Sequence, residues 1–483
     1  MITLRKDQEK VVNELRAELM RSASVLVRAP CRFGKTVVSA FIAMNANKRG
    51  KRVIFACHRD SILNQTAKTL GRFNVKYGFI ASGYAANPFA LSHVASADTL
   101  RNRLETLKGC AILIVDECHL WNSRTRKMII DAAKEAGCKI IGLSATPIRL
   151  DGKPLSDLFD TMVMGPTEAW LIEHGFLAKY RAFSLPNPGV SSLRTRMGDY
   201  TSNSASETFD KPTVVGNLVE TWKKHAHGLR TVVYAINRQH ARHICDAYNE
   251  AGVPAGYIDG ETPKTEQKRV INALADGRIH VLVSVELLTT GFDLSSIVGR
   301  DVSIQCVQLA RPTKSLQLAI QMMMRCMTAQ EGLAIILDHV GIIMNADGTV
   351  NHGFPDDERD WSLEGKEGRR IEGVPSFDIS TCSSCFGDYR SSLPQCPHCS
   401  SERKIKPRLI EEREGELEEI RRTEQKRQET RKARDLESVA RVAVQRGYKP
   451  AWIAQRLKHI GARQASYSEI HAAMMQAKQE LAA

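Results

Sequence analysis

Nowhere in these 483 residues is there an apolar run of about 18 residues, the length that a membrane-crossing helix requires. The opening stretch, MITLRKDQEKVVNELR, lacks both the apolar segment and the small-residue cleavage site of a secretory signal. These absences predict a soluble chain in a reducing cytoplasm, with its twelve cysteines mostly thiols. Acid is also in short supply: 54 Asp and Glu face 68 Lys and Arg, a formal net charge of +14. That surplus fits a polyanionic partner such as nucleic acid. An anionic membrane is the rival, but the strongly charged C-terminal segment lacks the apolar face that an interfacial helix needs. No nuclease constellation is visible, and the acids of PDDERDW at 355–361 read as a turn or inter-domain loop rather than a metal cluster.

A single core seldom serves more than about 250–300 residues, so the length predicts two or three domains. Up to residue 185, β-rich runs (SVLVRA, KRVIFAC, CAILIVDE, KIIGLSA) alternate with helix-length segments, the rhythm of a parallel α/β sheet. Residues 186–212 are rich in Ser, Pro, Gly and Asn and read as a linker or long surface loop. Over 213–345 the rhythm resumes with LRTVVYAIN, PAGYID, RIHVLVSVELL, DVSIQCV and LAIILDH, which predicts a second α/β domain. Residues 346–402 carry a Gly- and Asp-rich segment and a cysteine cluster. Residues 403–483 read as a charged helix, from about 408 to 434, and a helical element broken at Gly447 and Pro450.

Between a strand, SVLVR, and a helix, TVVSAFIAMNAN, lies APCRFGKT at 29–36. A loop in that setting offers successive backbone N–H groups at a helix N-terminus, a nest for phosphate. Lys35 is placed to reach the β- and γ-phosphates of ATP, and Thr36 to hold Mg²⁺; Arg32 and Gly34 belong to the same ATP-binding loop. Ala29 stands where the usual pattern has its first glycine. CAILIVDECH at 110–119 is an apolar strand ending in acids, with Asp116 placed for Mg²⁺ and Glu117 for the attacking water.

These two stretches, with SATP at 144–147 and TTGFD at 289–293, follow one another in an order that resembles the motifs of superfamily 2 helicases over about residues 2–340. Within that superfamily the sequence is similar to bacterial and phage-encoded RadD-like helicases of the DEAD/DEAH type, on ARPTKS at 310–315, DHVG at 338–341 and HGFPDDERDWSLEG at 352–365. The resemblance implies two tandem RecA-like domains with ATP bound between them. It implies that Gln8 of LRKDQ contacts the adenine, that Ser144 and Thr146 couple ATP state to nucleic-acid grip, and that Gly291 and Asp293 line the second-domain side of the cleft. The segments FACHRDSILNQ and VASADTL resemble the family's motif Ia and motif Ib stretches, with Asp98 where a glutamine is more usual. In the family the final motif reads Q-x-x-G-R-x-x-R. Here IQMMMRCMT at 320–328 keeps Gln321 and Arg325, while Met324 replaces the glycine and Thr328 the second arginine. The methionines read as core packing, and the resemblance implies that Gln321 binds the nucleotide and that Arg325 completes the ATP site.

Cys382, Cys385, Cys396 and Cys399 form two C-x₂-C knuckles, a spacing that predicts a closed, structural Zn²⁺ site, a zinc ribbon, rather than redox disulfides. His398 reads as a bystander. Such a ribbon could grip DNA or a protein partner. The segment 403–434, with twelve Lys or Arg and eight Asp or Glu, fits a solvated helix about as well as a nucleic-acid contact. Tyr448 and Trp452 fit a small helical core better than base stacking. The leading expectation is an ATP-driven DNA helicase or translocase, with branched or repair intermediates among its candidate substrates. A non-motor ATP switch and an RNA helicase are the alternatives.

Overall fold

The computed structural model describes residues 3–482 apart from 59, 122, 150–152, 185–189, 191–192, 197, 286–293, 301, 331, 346–349, 365–378, 383, 386, 391–392, 403–434, 446–449, 461 and 464. The chain divides into two compact units, residues 1–403 and 404–483.

Among the described residues the first unit holds two large sheets and a two-stranded hairpin. In the first, β1 (Ser24–Arg28), β2 (Arg52–Cys57), β3 (Tyr77–Ile80), β4 (Ser92–Ser96), β5 (Cys110–Val115), β6 (Lys139–Ser144) and β7 (Thr161–Met164) lie in the order β3-β4-β2-β5-β6-β1-β7. Every pairing is parallel. Alternate residues of a strand face opposite ways, and here both ways are apolar. Val25, Val27, Val53 and Phe55 enter one core with residues of the helices Lys6–Arg21, Lys35–Asn47 and Asp60–Arg72. Leu26, Ile54, Leu113 and Ile140 enter the other, against the helix Arg124–Glu135. Because the strands all run the same way, the loops that follow β1, β5 and β6 lie at one edge of the sheet, the place where open α/β sheets bind ligands.

The second sheet comprises β8 (Tyr180–Ser184), β11 (Thr231–Tyr234), β12 (Ala255–Ile258), β13 (Val281–Ser284), β14 (Cys306–Leu309), β15 (Ala334–Asp338), β16 (Ile379–Thr381) and β17 (Gly387–Arg390), in the order β12-β13-β11-β14-β15-β8-β17-β16. Strands β12 to β8 of that order run parallel, and the β16–β17 hairpin of the cysteine-rich segment adds to it antiparallel. The five strands expected for this domain are all present. Strand β8 joins them although it precedes residue 185, where the first domain is expected to end. The segment expected as a linker contains a short hairpin, β9 (Thr195–Arg196) with β10 (Asp199–Tyr200), and a helix, Ser202–Phe209. Ala205 and Phe209, one turn apart, are buried in a core of the second sheet, with Val232, Val307 and Ile336. Among so many serines, two apolar side chains gave too weak a periodicity to betray that helix.

The methionine run forms the end of the helix Leu316–Met323 and one further 3₁₀ turn, Met324–Cys326. Met322, Met323, Met324 and Met327 are all buried in that same core of the second sheet, as their packing role requires. Arg325 is the half-buried residue among them.

In the second unit, helices Leu436–Gln445, Pro450–His459 and Tyr467–Ala482 enclose a small core of Val439, Ala443, Ile453, Leu457 and Ile470. Pro450 opens its helix, where its missing N–H costs nothing. Trp452 packs half-buried against this core. The charged helix expected at 408–434, Gly447 and Tyr448 lie outside the described residues. Among the described residues no helix is long and apolar enough to cross a membrane.

Candidate functional site

The phosphate-type loop hangs between β1 and the helix Lys35–Asn47. Arg32 and Gly34 have φ of 67° and 95°, so the chain bends tightly here and turns its N–H groups inward. Gln8, buried on the helix Lys6–Arg21, donates from Nε2 to the Phe33 carbonyl at 2.8 Å. Its Oε1 accepts from the Arg5 N–H at 3.1 Å. A Cβ on residue 34 would come within 2.7 Å of that Nε2, so contact and backbone both require glycine there.

Lys35 folds over the loop, its Nζ 3.3 Å from the Ala29 carbonyl and 3.4 Å from that of Pro30. Burial opposes its charge, but Glu117, Cys31 and Asp116 outweigh burial and raise its pKa. Thr36, next in the helix, is half-buried. Across the cleft edge, Asp116 follows β5, with its carbonyl accepting from the Trp121 indole at 3.0 Å. Burial first, then the neighbouring Glu117 charge, push the Asp116 carboxyl up to about 7, against the pull of Lys35. Glu117 has φ 46°, a left-handed conformation that costs of order 1 kcal/mol or more for a residue with a side chain. Its buried Oε2 has no hydrogen-bond partner among the described residues.

His119 connects three elements. Its Nδ1 lies 2.8 Å from Ser144 Oγ at the end of β6, and its Nε2 contacts the side-chain amide of Gln317 on the helix Leu316–Met323. Ser144 Oγ also accepts from the Thr146 N–H at 3.1 Å. Burial drives the His119 pKa down to about 4, so a neutral imidazole bridges the first sheet to the second.

From the second lobe, Arg325 hydrogen-bonds Tyr234 at the end of β11; burial raises the pKa of the Cys31 thiol in the loop, against the Lys35 and Arg325 charges, which lower it. Gln321, one turn beyond Gln317, is buried with Oε1 lacking a partner among the described residues. Thr328 forms a backbone bridge to Leu177. Gln8, Arg32, Gly34, Lys35, Thr36, Asp116 and Glu117 thus converge on one sheet edge, Ser144 and Thr146 adjoin it through His119, and Arg325 approaches from the other lobe. Gly291 and Asp293 lie outside the described residues. His119, Gln317, Tyr234 and Cys31 are not among the residues that the motifs single out, although DECH contains the first and the four-residue spacing of Gln317 and Gln321 marks one helix face.

The four cysteine sulfurs of the second cluster all lie within 4.8 Å of one another. The Cys382–Cys399 and Cys385–Cys396 separations are 3.6 and 3.7 Å, far from a disulfide bond. Four thiolates at about 2.3 Å around a tetrahedral Zn²⁺ would stand about 3.8 Å apart. Backbone N–H groups of Ser384 and His398 point at the sulfurs of Cys382 and Cys396, each at 3.4 Å. The His398 imidazole turns away to the Asp388 carbonyl at 2.9 Å.

Residues 1–149 match the family described as Type III restriction enzyme, res subunit, and residues 210–330 the helicase conserved C-terminal domain. A 51.5 kDa protein of a Lactococcus phage is 32% identical over 398 residues, 82% of each chain. The putative ATP-dependent helicase IRC3 of Saccharomyces cerevisiae is 26% identical over 242 residues, 48% of this chain and 34% of the yeast protein. Among solved structures, the DNA-bound Type ISP restriction-modification enzyme LlaBIII superposes with a TM-score of 0.54 at 14% identity, over 70% of this chain and 28% of that enzyme. The chain therefore spans most of its phage relative but only about a third of the yeast protein and less of the restriction enzyme. Two matched domains in series, a relative alike over four-fifths of its length and the two-sheet fold agree: the chain belongs to the superfamily 2 helicases.

Proposed function

We propose that the chain is an ATP-dependent helicase or translocase acting on DNA. The observation that carries this reading is that the second lobe's helix Leu316–Met323 reaches the first lobe beside its paired acids, Gln317 meeting His119 two residues beyond Glu117, while Gln8 and Lys35 close on the loop at 29–36. Hydrolysis needs charge stabilisation at the γ-phosphate and an oriented water. Lys35 is half-buried and kept charged by its neighbours, which suits it to the β- and γ-phosphates. Glu117 has a buried, unsatisfied oxygen that suits it to accept a proton from water. Thr36 and Asp116 are the residues that would hold Mg²⁺, which when bound supplies charge neutralisation across the phosphates. Gln8, tied to the loop backbone, suits the adenine edge. Arg325 would add positive charge only when the lobes close, and this makes hydrolysis depend on their relative position.

Neutral His119 can carry that dependence further. Any shift of the helix Leu316–Met323 moves Gln317, hence the imidazole, hence Ser144 and Thr146. The net charge of +14 and the DNA bound to LlaBIII support DNA as the polymer gripped. RNA is the substrate alternative, and branched or repair DNA the finer candidate. The sulfur spacing of the four-cysteine cluster fits structural Zn²⁺, a ribbon with DNA or a protein as its possible contact. A bacterial or phage-infected cytoplasm suits such a thiol-rich motor.

A second reading, an ATP-gated clamp with slow turnover, is favoured by one feature: Thr328 stands where the family has a second arginine. ATP hydrolysis by wild type and Lys35→Ala, with single-stranded, duplex and forked DNA and with RNA, separates the readings. Polynucleotide-stimulated turnover that Lys35→Ala abolishes supports the motor. Nucleotide binding without turnover supports the clamp, and neither binding nor turnover defeats both.

A further inference from the structure

The stem of the phosphate loop is covered by a segment that comes from the second lobe. Arg28, the last residue of β1 and the one before Ala29, is 2% exposed. Its Nη2 donates to both oxygens of buried Glu168 at 2.6 and 2.8 Å, and its Nη1 to the Pro166 carbonyl at 3.3 Å. Its own carbonyl accepts from the Gly165 N–H at 2.6 Å. The buried Nε has no hydrogen-bond acceptor among the described residues. What covers the guanidinium is the ring of Trp361, whose centroid is 5.1 Å from Cζ.

Trp361 is carried by residues 352–363, and these run from one lobe to the other. His352 Nε2 meets the Thr313 carbonyl at 2.9 Å, and Phe354 is buried in a core of the second sheet. Arg359 donates to the carbonyls of Phe354, Asp357 and His352 at 2.7, 2.8 and 3.1 Å, holding the segment in a fixed turn. Arg390 of β17 ties Asp357 at 3.1 Å. Beyond Trp361, the Leu363 carbonyl accepts from Leu155 N at 2.6 Å and Ser156 N at 3.1 Å, and its side chain packs on the first lobe's core. The segment is therefore a strap anchored in both lobes, and the side chain at its crossing rests on the stem of the phosphate loop.

We propose that Trp361 is a positioning residue for ATP binding, holding Arg28 and with it the phosphate loop in a place set by the second lobe. The proposal rests on the ATP-site reading above. Trp361 acts through Arg28, whose backbone continues directly into Ala29. Its π face supplies part of the environment that a buried guanidinium loses on leaving water, so an aliphatic side chain of similar bulk cannot replace it.

The test uses the full chain with Trp361→Phe, Trp361→Leu and Trp361→Ala, with Lys35→Ala as reference. Binding of a fluorescent ATP analogue, the KM and kcat of DNA-stimulated hydrolysis, and thermal unfolding are measured. Trp361→Leu and Trp361→Ala are expected to raise the analogue's Kd and the KM about tenfold, with Trp361→Phe within about twofold of wild type. A packing role alone would lower Tm in the Leu and Ala variants and leave Kd and KM at the wild-type value, which overturns the proposal. Should the Ala variant fail to fold, the Leu variant decides. If wild type binds the analogue and Lys35→Ala does not, a wild-type Kd in Trp361→Leu defeats this inference alone. If wild type binds no nucleotide, the ATP-site reading falls and takes this inference with it.

Discussion

His119 Nδ1 stands 2.8 Å from Ser144 Oγ while the other ring nitrogen touches Gln317, so one neutral imidazole is shared by two strand ends and a helix of the opposite lobe. A contact that spans both lobes can exist only in some of their arrangements. That makes it a suitable reporter of closure, with a hydrogen bond at each end worth about 1 kcal/mol.

Ser144→Ala and Gln317→Ala should each lower polynucleotide-stimulated ATP turnover about tenfold while leaving nucleotide Kd within about threefold. Steady-state hydrolysis alongside titration of a fluorescent nucleotide checks this. Wild-type turnover in both variants would remove the imidazole from the coupling.

The same histidine sets a pH dependence. Its folded pKa of about 4 lies below the ordinary 6.5, so between those values the unfolded chain binds the extra proton and stability falls as pH falls. From pH 7 to 5 the loss from this one group is about 2 kcal/mol. Urea unfolding of wild type and His119→Gln at the two pH values should differ in their pH increments by about that amount. His240 and His339, depressed to about 4 and about 3 by burial, contribute in the same direction in both proteins.

Arg325→Ala should abolish stimulated hydrolysis and leave ATP binding nearly intact, because an arginine acting on the transferring phosphate contributes about 10³–10⁵ to turnover in comparable systems. If the chain is instead a slow clamp, Thr328→Arg should raise turnover and Arg325→Ala should change little. Single-turnover measurements on both variants decide.

Metal analysis should return about one zinc per chain, and Cys385→Ser should lose it. Because β17 pairs with β8, the loss should reach the second sheet. Hydrogen exchange at Tyr180–Ser184 should accelerate in the variant and in chelator-treated protein. Unchanged protection there would mean the hairpin holds without metal.

Glu168→Ala leaves the Arg28 guanidinium buried without its carboxylate and should cost about 3–5 kcal/mol in thermal unfolding. Glu173→Ala, at an exposed position on the same helix, should fall within about 0.5 kcal/mol of wild type.

The loop at 29–36, the acids at 116 and 117 and the four cysteines were legible in the sequence because each is a local device. A phosphate loop is a strand, a turn and a helix in succession, and two C-x₂-C knuckles announce their ligands by spacing alone. Strand β8 was not legible: YRAFS sits among residues of the first domain, and only pairing with β15 assigns it to the second sheet. The helix Ser202–Phe209 was hidden by its serines. Gln317 lay in view beside Gln321, yet nothing along the chain says that it meets His119.

The sequence by itself therefore determined which chemical groups exist and how each is presented by its own few residues, since backbone conformation and turn chemistry act over that range. Tertiary structure decided which groups meet: Gln317 with His119, Arg325 with Tyr234, Trp361 with Arg28. Those meetings depend on how two sheets, each with its own core, bring their edges together. That is a matter of packing between residues far apart in the chain, and no local propensity encodes it.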